Sequence, residues 1–375
     1  MTTQTLKALG FQHVGSFLRP AELKQARQDF EAGKLTQEEL EGVENSTIAH
    51  LVDQQVAAGI AVVTDGEFRR SYWHLDNFWG FGGVERLSYG EGYFFAHEET
   101  RDDSARLNGK LSFDANVHPF IKHFKFLKAL ADEAGVEAKI TIPAPSQFYA
   151  ELVRGTNADV VSNFYDSDQE FFADIKRVYH EEIIALYEAG AKTVQLDDCT
   201  WGMLVDADFW EKMAGSGFDV KQLKALYLDL NNGAIANLPE DLTINTHICR
   251  GNYHSDWAAS GGYDAVADEL FGQENVSSYF LEYDSERAGG FEPLAKVSGD
   301  KKVVLGLITT KTGELEKKED IIKRIHEAEK YLPLDRLWLS TQCGFASTEE
   351  GNILTEEQQW AKLALVKEIL DEVWG

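Results

Sequence analysis

The sequence predicts a single (β/α)8 barrel of the TIM type, and three observations point there. Eight short segments read as strands, most with the brief apolar stretch of a strand buried on both faces. Helical patterns lie between most of them, which favours a parallel sheet. Most of the eight end in a polar or glycine-containing group, at the end where a barrel of this kind builds its active site. A doubly wound open sheet is the alternative for the same alternation.

In chain order the strand segments are Phe11 to Phe17, Ile60 to Phe68, Ala138 to Pro145, Ala191 to Asp198, Leu242 to Cys249, Val276 to Asp284, Lys301 to Thr309 and Leu337 to Gly344. Thr36-Gln37-Glu38-Glu39 is a capping box, in which the threonine and glutamate side chains each bond the other's backbone N–H. The apolar periodicity after it runs to Ala58, and Gly59 stops it. Tyr165 to Ala189 repeats apolar residues at helical spacing and stops at Gly190. Asp219 to Ala236, Asp256 to Phe271, Lys317 to Tyr331 and Thr355 to Val373 are further helices, the last opened by a second box, Thr355-x-x-Gln358. Residues 71–137 break the pattern. Gly80-Phe81-Gly82-Gly83 leads into alternating residues, Val84 to Phe95 and Arg106 to Phe113, which read as a β-hairpin; a helix, Pro119 to Ala134, follows. The expectation is an insertion after the second strand, over one end of the barrel. With no internal repeat and no linker, residues 1–375 read as one domain.

Composition narrows the function. The formal charge of −27 argues against nucleic acid and anionic membrane surfaces, which need a basic footprint. No apolar run approaches the length of a membrane span. Met1 to Lys7 lack the charged head and apolar core of a signal peptide, so the cytoplasm is expected. Three cysteines, Cys199, Cys249 and Cys343, are too few for a disulfide framework and suit a reducing compartment.

The strand ends carry the chemistry. Residues i and i+2 on a strand share a face, so His247 and Cys249 project together just before the loop Arg250-Gly251-Asn252. Strand 6 ends in Glu282 and strand 8 in Gln342-Cys343. One imidazole, one carboxylate and two thiolates at one end of a barrel make a tetrahedral set that selects Zn2+ over magnesium or calcium. A second constellation comes from Ser16, Glu67 and Asp197. Carboxylates suit an ammonium group, and a hydroxyl beside backbone N–H suits a carboxylate, so together they would hold an amino acid. Either Asp197 or its neighbour Asp198 would face the mouth. Trp73, His74, Phe78, Trp79 and Phe81 form an aromatic cluster that covers a ligand or anchors the insertion. Cys199 reads as a packed thiol.

These residues resemble a known family. His13-Val14-Gly15-Ser16-Phe17, Asp65-Gly66-Glu67, Gln195-Leu196-Asp197, His247-Ile248-Cys249, Glu282 and Gln342-Cys343-Gly344-Phe345 stand in the order found in the catalytic barrel of cobalamin-independent methionine synthase. The resemblance spans nearly the whole chain and leaves no room for the N-terminal barrel of the full-length enzymes, so the chain looks like a stand-alone member. It implies Zn2+ on His247, Cys249, Glu282 and Cys343, and homocysteine bound through its thiol to the metal. It implies that Glu67 and Asp197 hold the amino group and that Ser16 helps hold the carboxylate. The product would be methionine, the partners small molecules: homocysteine and a methyl donor, methyltetrahydrofolate or another. Two departures stand out. Lys311 falls nearest the strand-7 histidine that is proposed to protonate the folate leaving group, which makes it the candidate acid. The tryptophan that stacks on the pterin is missing from Ile142 to Tyr149, where Phe148 or Tyr149 would replace it. The barrel is also similar to zinc enzymes that alkylate coenzyme M or use a corrinoid donor. A metal-free lyase of the uroporphyrinogen decarboxylase type would instead use Arg69, Arg70, Arg250 and Lys311 for substrate carboxylates.

Overall fold

The computed structural model describes residues 10–208 and 219–375; the leader reading on Met1 to Lys7 lies outside them. Strand β1 (Val62–Val63) starts the sheet, and an antiparallel hairpin, β2 (Gly82–Ser88) and β3 (Asp103–Ser112), follows it. Strands β4 (Glu137–Pro143), β5 (Thr193–Asp198), β6 (Thr243–Ile248), β7 (Ser278–Glu282), β8 (Lys302–Ile308) and β9 (Leu337–Thr341) complete the sheet. Its order is β1-β4-β5-β6-β7-β8-β9, every pairing parallel, so the sheet curls in chain order as a TIM-type barrel does. All residues of β5, β7 and β9 are buried, as strands covered on both faces are.

The first expected strand, Phe11 to Phe17, differs. It pairs by a single parallel bridge, Gln12 with Val62. It still joins the two sheet edges: Ala61 N donates to Phe11 O at 2.9 Å on one side, and Phe345 N to Ser16 O at 2.9 Å on the other. Side chains take the carbonyls that a ladder would have used. Lys139 Nζ donates to His13 O, Gln195 Nε2 to Val14 O and Thr64 Oγ1 to Gly15 O, at 2.7, 2.7 and 2.8 Å. The backbone is satisfied without regular strand geometry.

Helix Gln37–Ala57 carries both halves of its capping box, as does helix Glu356–Trp374. Ser167 caps Asp168–Glu188 and Asp219 caps Val220–Ala234. The helix expected over Asp256 to Phe271 forms only at Ala267–Gln273. Ahead of it, Ala258 N and Ala259 N both donate to Arg250 O, and the Asp256 carboxylate binds His97. Those bonds fold the segment back as a loop. Helices Ala21–Glu31 and Pro145–Leu152, and the short helices Leu75–Phe78 and Thr200–Leu204, have no counterpart in the sequence reading.

The hairpin lies between β1 and β4, and helix Pro119–Ala134 packs on β4 and on helix Gln37–Ala57. The connection between the hairpin arms arches over the C-terminal ends of the strands. Ala96 N donates to Trp257 O at 2.8 Å, His97 N to Asp256 Oδ2 at 2.6 Å, and Arg101 pairs with Glu349. No described helix is long and apolar enough to cross a membrane.

One buried carboxyl gives the fold a pH dependence. Glu182 is fully buried; Asn77 Nδ2 donates to it at 2.6 Å and His118 Nε2 lies 3.8 Å away. Burial pushes its carboxyl from 4.5 up to about 8. The native state therefore keeps this proton where the unfolded chain has lost it. Its contribution to stability is full below about 4.5 and is lost as pH rises through about 8. Glu182→Gln is expected to flatten the decline of Tm over that window. Equal pH slopes in calorimetry of both proteins would assign the decline elsewhere.

Candidate functional site

Strand phase brings four ligand atoms together. In the β6–β7 ladder His247 pairs with Phe280, so His247, Cys249, Phe280 and Glu282 share a phase. Glu282 pairs with Gly306, and Gly306 with Ser340. A register shift between Gly306 and Ile308 then sets Ile308 opposite Thr341. It moves the phase from Ser340 and Gln342 to Thr341 and Cys343. The result is a buried group of His247, Cys249, Glu282 and Cys343 whose ligand atoms all lie within 4.8 Å of one another.

The donor set fits a zinc ion. Two Zn–S bonds of about 2.3 Å at a tetrahedral angle put the sulfurs about 3.8 Å apart; Cys249 Sγ and Cys343 Sγ lie at 3.9 Å. His247 Nδ1 is 3.1 Å from Phe280 O, which fixes the tautomer and leaves Nε2 free to ligate. That Nε2 is buried with no oxygen or nitrogen partner, as is Glu282 Oε2. Glu282 Oε1 accepts from Arg250 N at 2.9 Å. Both thiols sit well above their usual range, Cys249 through its hydrogen bond with Cys199 and its burial, Cys343 through its hydrogen bond with Cys249 and its burial. A dication between them reverses that penalty. Cys199 touches Cys249 without belonging to the four.

The carboxylates adjoin this group. Asp197 pairs with His247 across the β5–β6 ladder, so their side chains rise on the same face. Asp198 points the other way and is saturated by Ser146 Oγ, Thr200 N, Thr200 Oγ1 and Asn231 Nδ2. Asp197 is therefore the aspartate that faces the mouth. Glu67 stands in a left-handed turn, φ +61° after Gly66 at +66°, an uncommon conformation for a side-chain-bearing residue and one that clusters at functional sites. Its Oε1 accepts from Thr141 Oγ1 at 3.0 Å, while Oε2 is buried without a partner. Gly15 makes room for it, since a Cβ there would lie 2.8 Å from Glu67 Oε1. Burial raises both carboxyls, with the Asp197 charge adding to Glu67 and Arg70 opposing it. Ser16 Oγ accepts from Ala346 N at 3.1 Å; a Cβ on Gly344 would collide with it at 2.1 Å. Ser16 is thus seated against the segment that carries Cys343.

Two other expected residues sit differently. Lys311 Nζ donates to Gly251 O, Asn252 Oδ1 and Asp256 O at 3.1, 2.9 and 3.0 Å, which uses all three of its N–H bonds. Phe148 is fully buried against Phe78, Phe81 and Tyr179, leaving no face for a ligand. Tyr149 packs on Phe171, Phe172 and Tyr227. Of the aromatic cluster, His74, Phe78 and Phe81 are buried, while the Trp73 ring lies tilted 4.6 Å from His74 and Trp79 lies under Arg86. The cluster anchors the hairpin to helix Pro145–Leu152.

The family model for the catalytic domain of cobalamin-independent synthase matches residues 11–77 and 134–364, and both ligand groups fall inside those spans. The chain belongs to that family. The hairpin lies within residues 78–133, an internal stretch that the family model leaves unmatched. The chain is 46% identical over 363 residues, 96% of its length and 94% of the relative's, to YxjH, an uncharacterized protein of Bacillus subtilis (strain 168). A solved structure from Listeria monocytogenes, described as a candidate vitamin-B12-independent methionine synthase, superposes with a TM-score of 0.74 at 37% identity, covering 97% of each chain. A B12-independent methionine synthase from Shewanella sp. W3-18-1, solved with selenomethionine, shares the fold at a TM-score of 0.68, 20% identity and 97% coverage of each chain. This member of the methionine synthase family is therefore a barrel with a four-residue group that could hold a metal.

Proposed function

We propose that the protein is a zinc-dependent methyltransferase that moves a methyl group to the thiol of homocysteine, giving methionine. The observation that carries this reading is the convergence of His247, Cys249, Glu282 and Cys343 beside Asp197, with two ligand atoms buried and unpartnered. Zn2+ bound there supplies a Lewis acid that keeps the substrate sulfur deprotonated and nucleophilic at neutral pH. Glu67 and Asp197 take the ammonium group, and Ser16 orients the carboxylate. Held at three points, the amino acid presents its sulfur in one direction, which supplies proximity toward the donor. Lys311 braces the loop after Cys249 rather than acting as the acid. We take residues 1–375 as one catalytic barrel with 71–137 inserted, and the cytoplasm, where thiols stay reduced, as its location.

The four basic groups a metal-free lyase would need are engaged elsewhere. Arg69 binds Glu44 and Asn45, Arg70 binds Thr141 O, Arg250 binds Gly261 O and Tyr263, and Lys311 is used as above. That disfavours a polycarboxylate substrate.

Zinc content and zinc-edge absorption, each with and without homocysteine, test the proposal. The expected result is about one zinc per chain that gains a sulfur ligand on adding homocysteine. No zinc after metal-replete preparation would overturn it. Turnover with methyltetrahydrofolate and with a corrinoid-bound methyl group then identifies the donor.

A further inference from the structure

Two of the four ligands lie beyond the ends of their strands. Cys249 follows Ile248, the last residue of β6, and Cys343 stands two residues past Thr341, the last of β9. Strands β7 and β8 separate β6 from β9, so no ladder hydrogen bond sets one sulfur against the other. Yet the sulfurs are 3.9 Å apart.

Asn252 spans that gap. It is 3% exposed, and its amide is fully used. Nδ2 donates to Gly344 O, the carbonyl directly after Cys343, at 2.8 Å, and to Ser347 Oγ at 3.3 Å. Oδ1 accepts from Lys311 Nζ and from Asn352 Nδ2, both at 2.9 Å. Asn352 also donates to Thr310 O, and Thr310 Oγ1 donates to Gly344 O, each at 2.9 Å. One buried side chain thus ties the loop after β6 to the loops after β8 and β9. Satisfied buried networks of this kind rigidify what they join.

We propose that Asn252 is a positioning residue for the metal: it clamps the loop after Cys249 to the segment after Cys343, with Lys311 as its brace, and so sets the spacing of the two thiolates. The inference rests on the zinc reading above. Without the clamp the loop after Cys249 loses its side-chain tie to the segment after Cys343, and the metal-free site relaxes apart. Metal binding must then draw the loops back together, which lowers affinity.

The test titrates metal-free wild type, Asn252→Ala, Asn252→Asp and Lys311→Met with zinc against a chromophoric chelator, and records the visible spectrum of each with cobalt in place of zinc. Asn252→Ala is expected to weaken zinc binding by about 10–100-fold. Asn252→Asp keeps the acceptor for Lys311 and loses the donor to Gly344, and is expected to follow it; Lys311→Met weakens binding less. The cobalt d–d bands shift in Asn252→Ala, a change that a fold-wide loss of stability would not produce. Wild-type zinc affinity and cobalt spectrum in Asn252→Ala would overturn the clamp. If that variant does not fold, the same result in both Asn252→Asp and Lys311→Met would do so. A wild type that takes up no zinc would overturn the metal reading itself, an outcome distinct from a clamp that does not matter.

Discussion

Cys343→Ser protein is expected to come off the column without zinc and without measurable methyl transfer to homocysteine. The reasoning starts from the residue left behind. A serine hydroxyl stays protonated where a thiol can ionise, and it is a hard, weak ligand for zinc. The site would keep His247, Cys249 and Glu282 but lose one of its two anionic sulfurs. His247 Nε2 and Glu282 Oε2 have no other buried partner, so the remaining groups are also left unsatisfied. The loss of affinity should exceed the roughly 10–100-fold that removal of an outer partner costs. Cys199→Ser is the control. Its thiol touches Cys249 but stands outside the four, so the variant should keep its zinc. Elemental analysis of both proteins decides the matter, and a full complement of zinc in Cys343→Ser would remove Cys343 from the ligand set.

That ligand set was legible because metal ligands here sit at strand ends, and strand ends are written in the sequence as an apolar run that stops at a polar residue. His247 and Cys249 needed only the two-residue period of a strand. Other features needed the third dimension. Asp197 and Asp198 are adjacent on a strand buried on both faces, so no alternation of polarity marks which one faces the mouth; the bonds of Asp198 to Ser146, Thr200 and Asn231 settle it. The register shift between Gly306 and Ile308 that turns Cys343 inward is a pairing property and leaves no trace in composition. Phe11 to Phe17 has strand-like residues, but Lys139, Gln195 and Thr64, each distant in sequence, claim its carbonyls. The helix expected from Asp256 lost to a loop for the same reason: Asp256 is held by His97 from the hairpin. The place of Lys311 after Lys302–Ile308 suggests an acid in the sequence; its three acceptors, visible only in the fold, favour a brace. Asn252 stood three residues past Cys249 in plain view, in a loop whose partners could not be read.

Glu67→Gln is expected to weaken homocysteine binding by roughly 10–100-fold, the worth of a hydrogen bond to a charged group, while leaving zinc affinity close to wild type. The carboxylate is well placed for an ammonium group. It is buried, its Oε2 has no partner in the protein, and the turn that presents it bears a non-glycine residue at positive φ. Burial and the neighbouring Asp197 raise its proton affinity in the free protein. A bound ammonium lowers it again, because the cation favours the ionised form. Substrate binding is therefore linked to proton release. As pH falls, Glu67 and Asp197 protonate before ordinary carboxylates do, and homocysteine must displace those protons to bind. KM for homocysteine should accordingly climb on the acid side at a higher pH than an exposed aspartate or glutamate would produce, and glutamine at position 67 should flatten that climb. Isothermal titration of homocysteine into zinc-loaded wild type and Glu67→Gln across that range measures both effects. Equal affinity in the two proteins would take Glu67 out of the substrate site. A weaker but equally pH-dependent variant would leave the proton linkage to Asp197 and to the substrate thiol, which also gives up its proton on binding zinc.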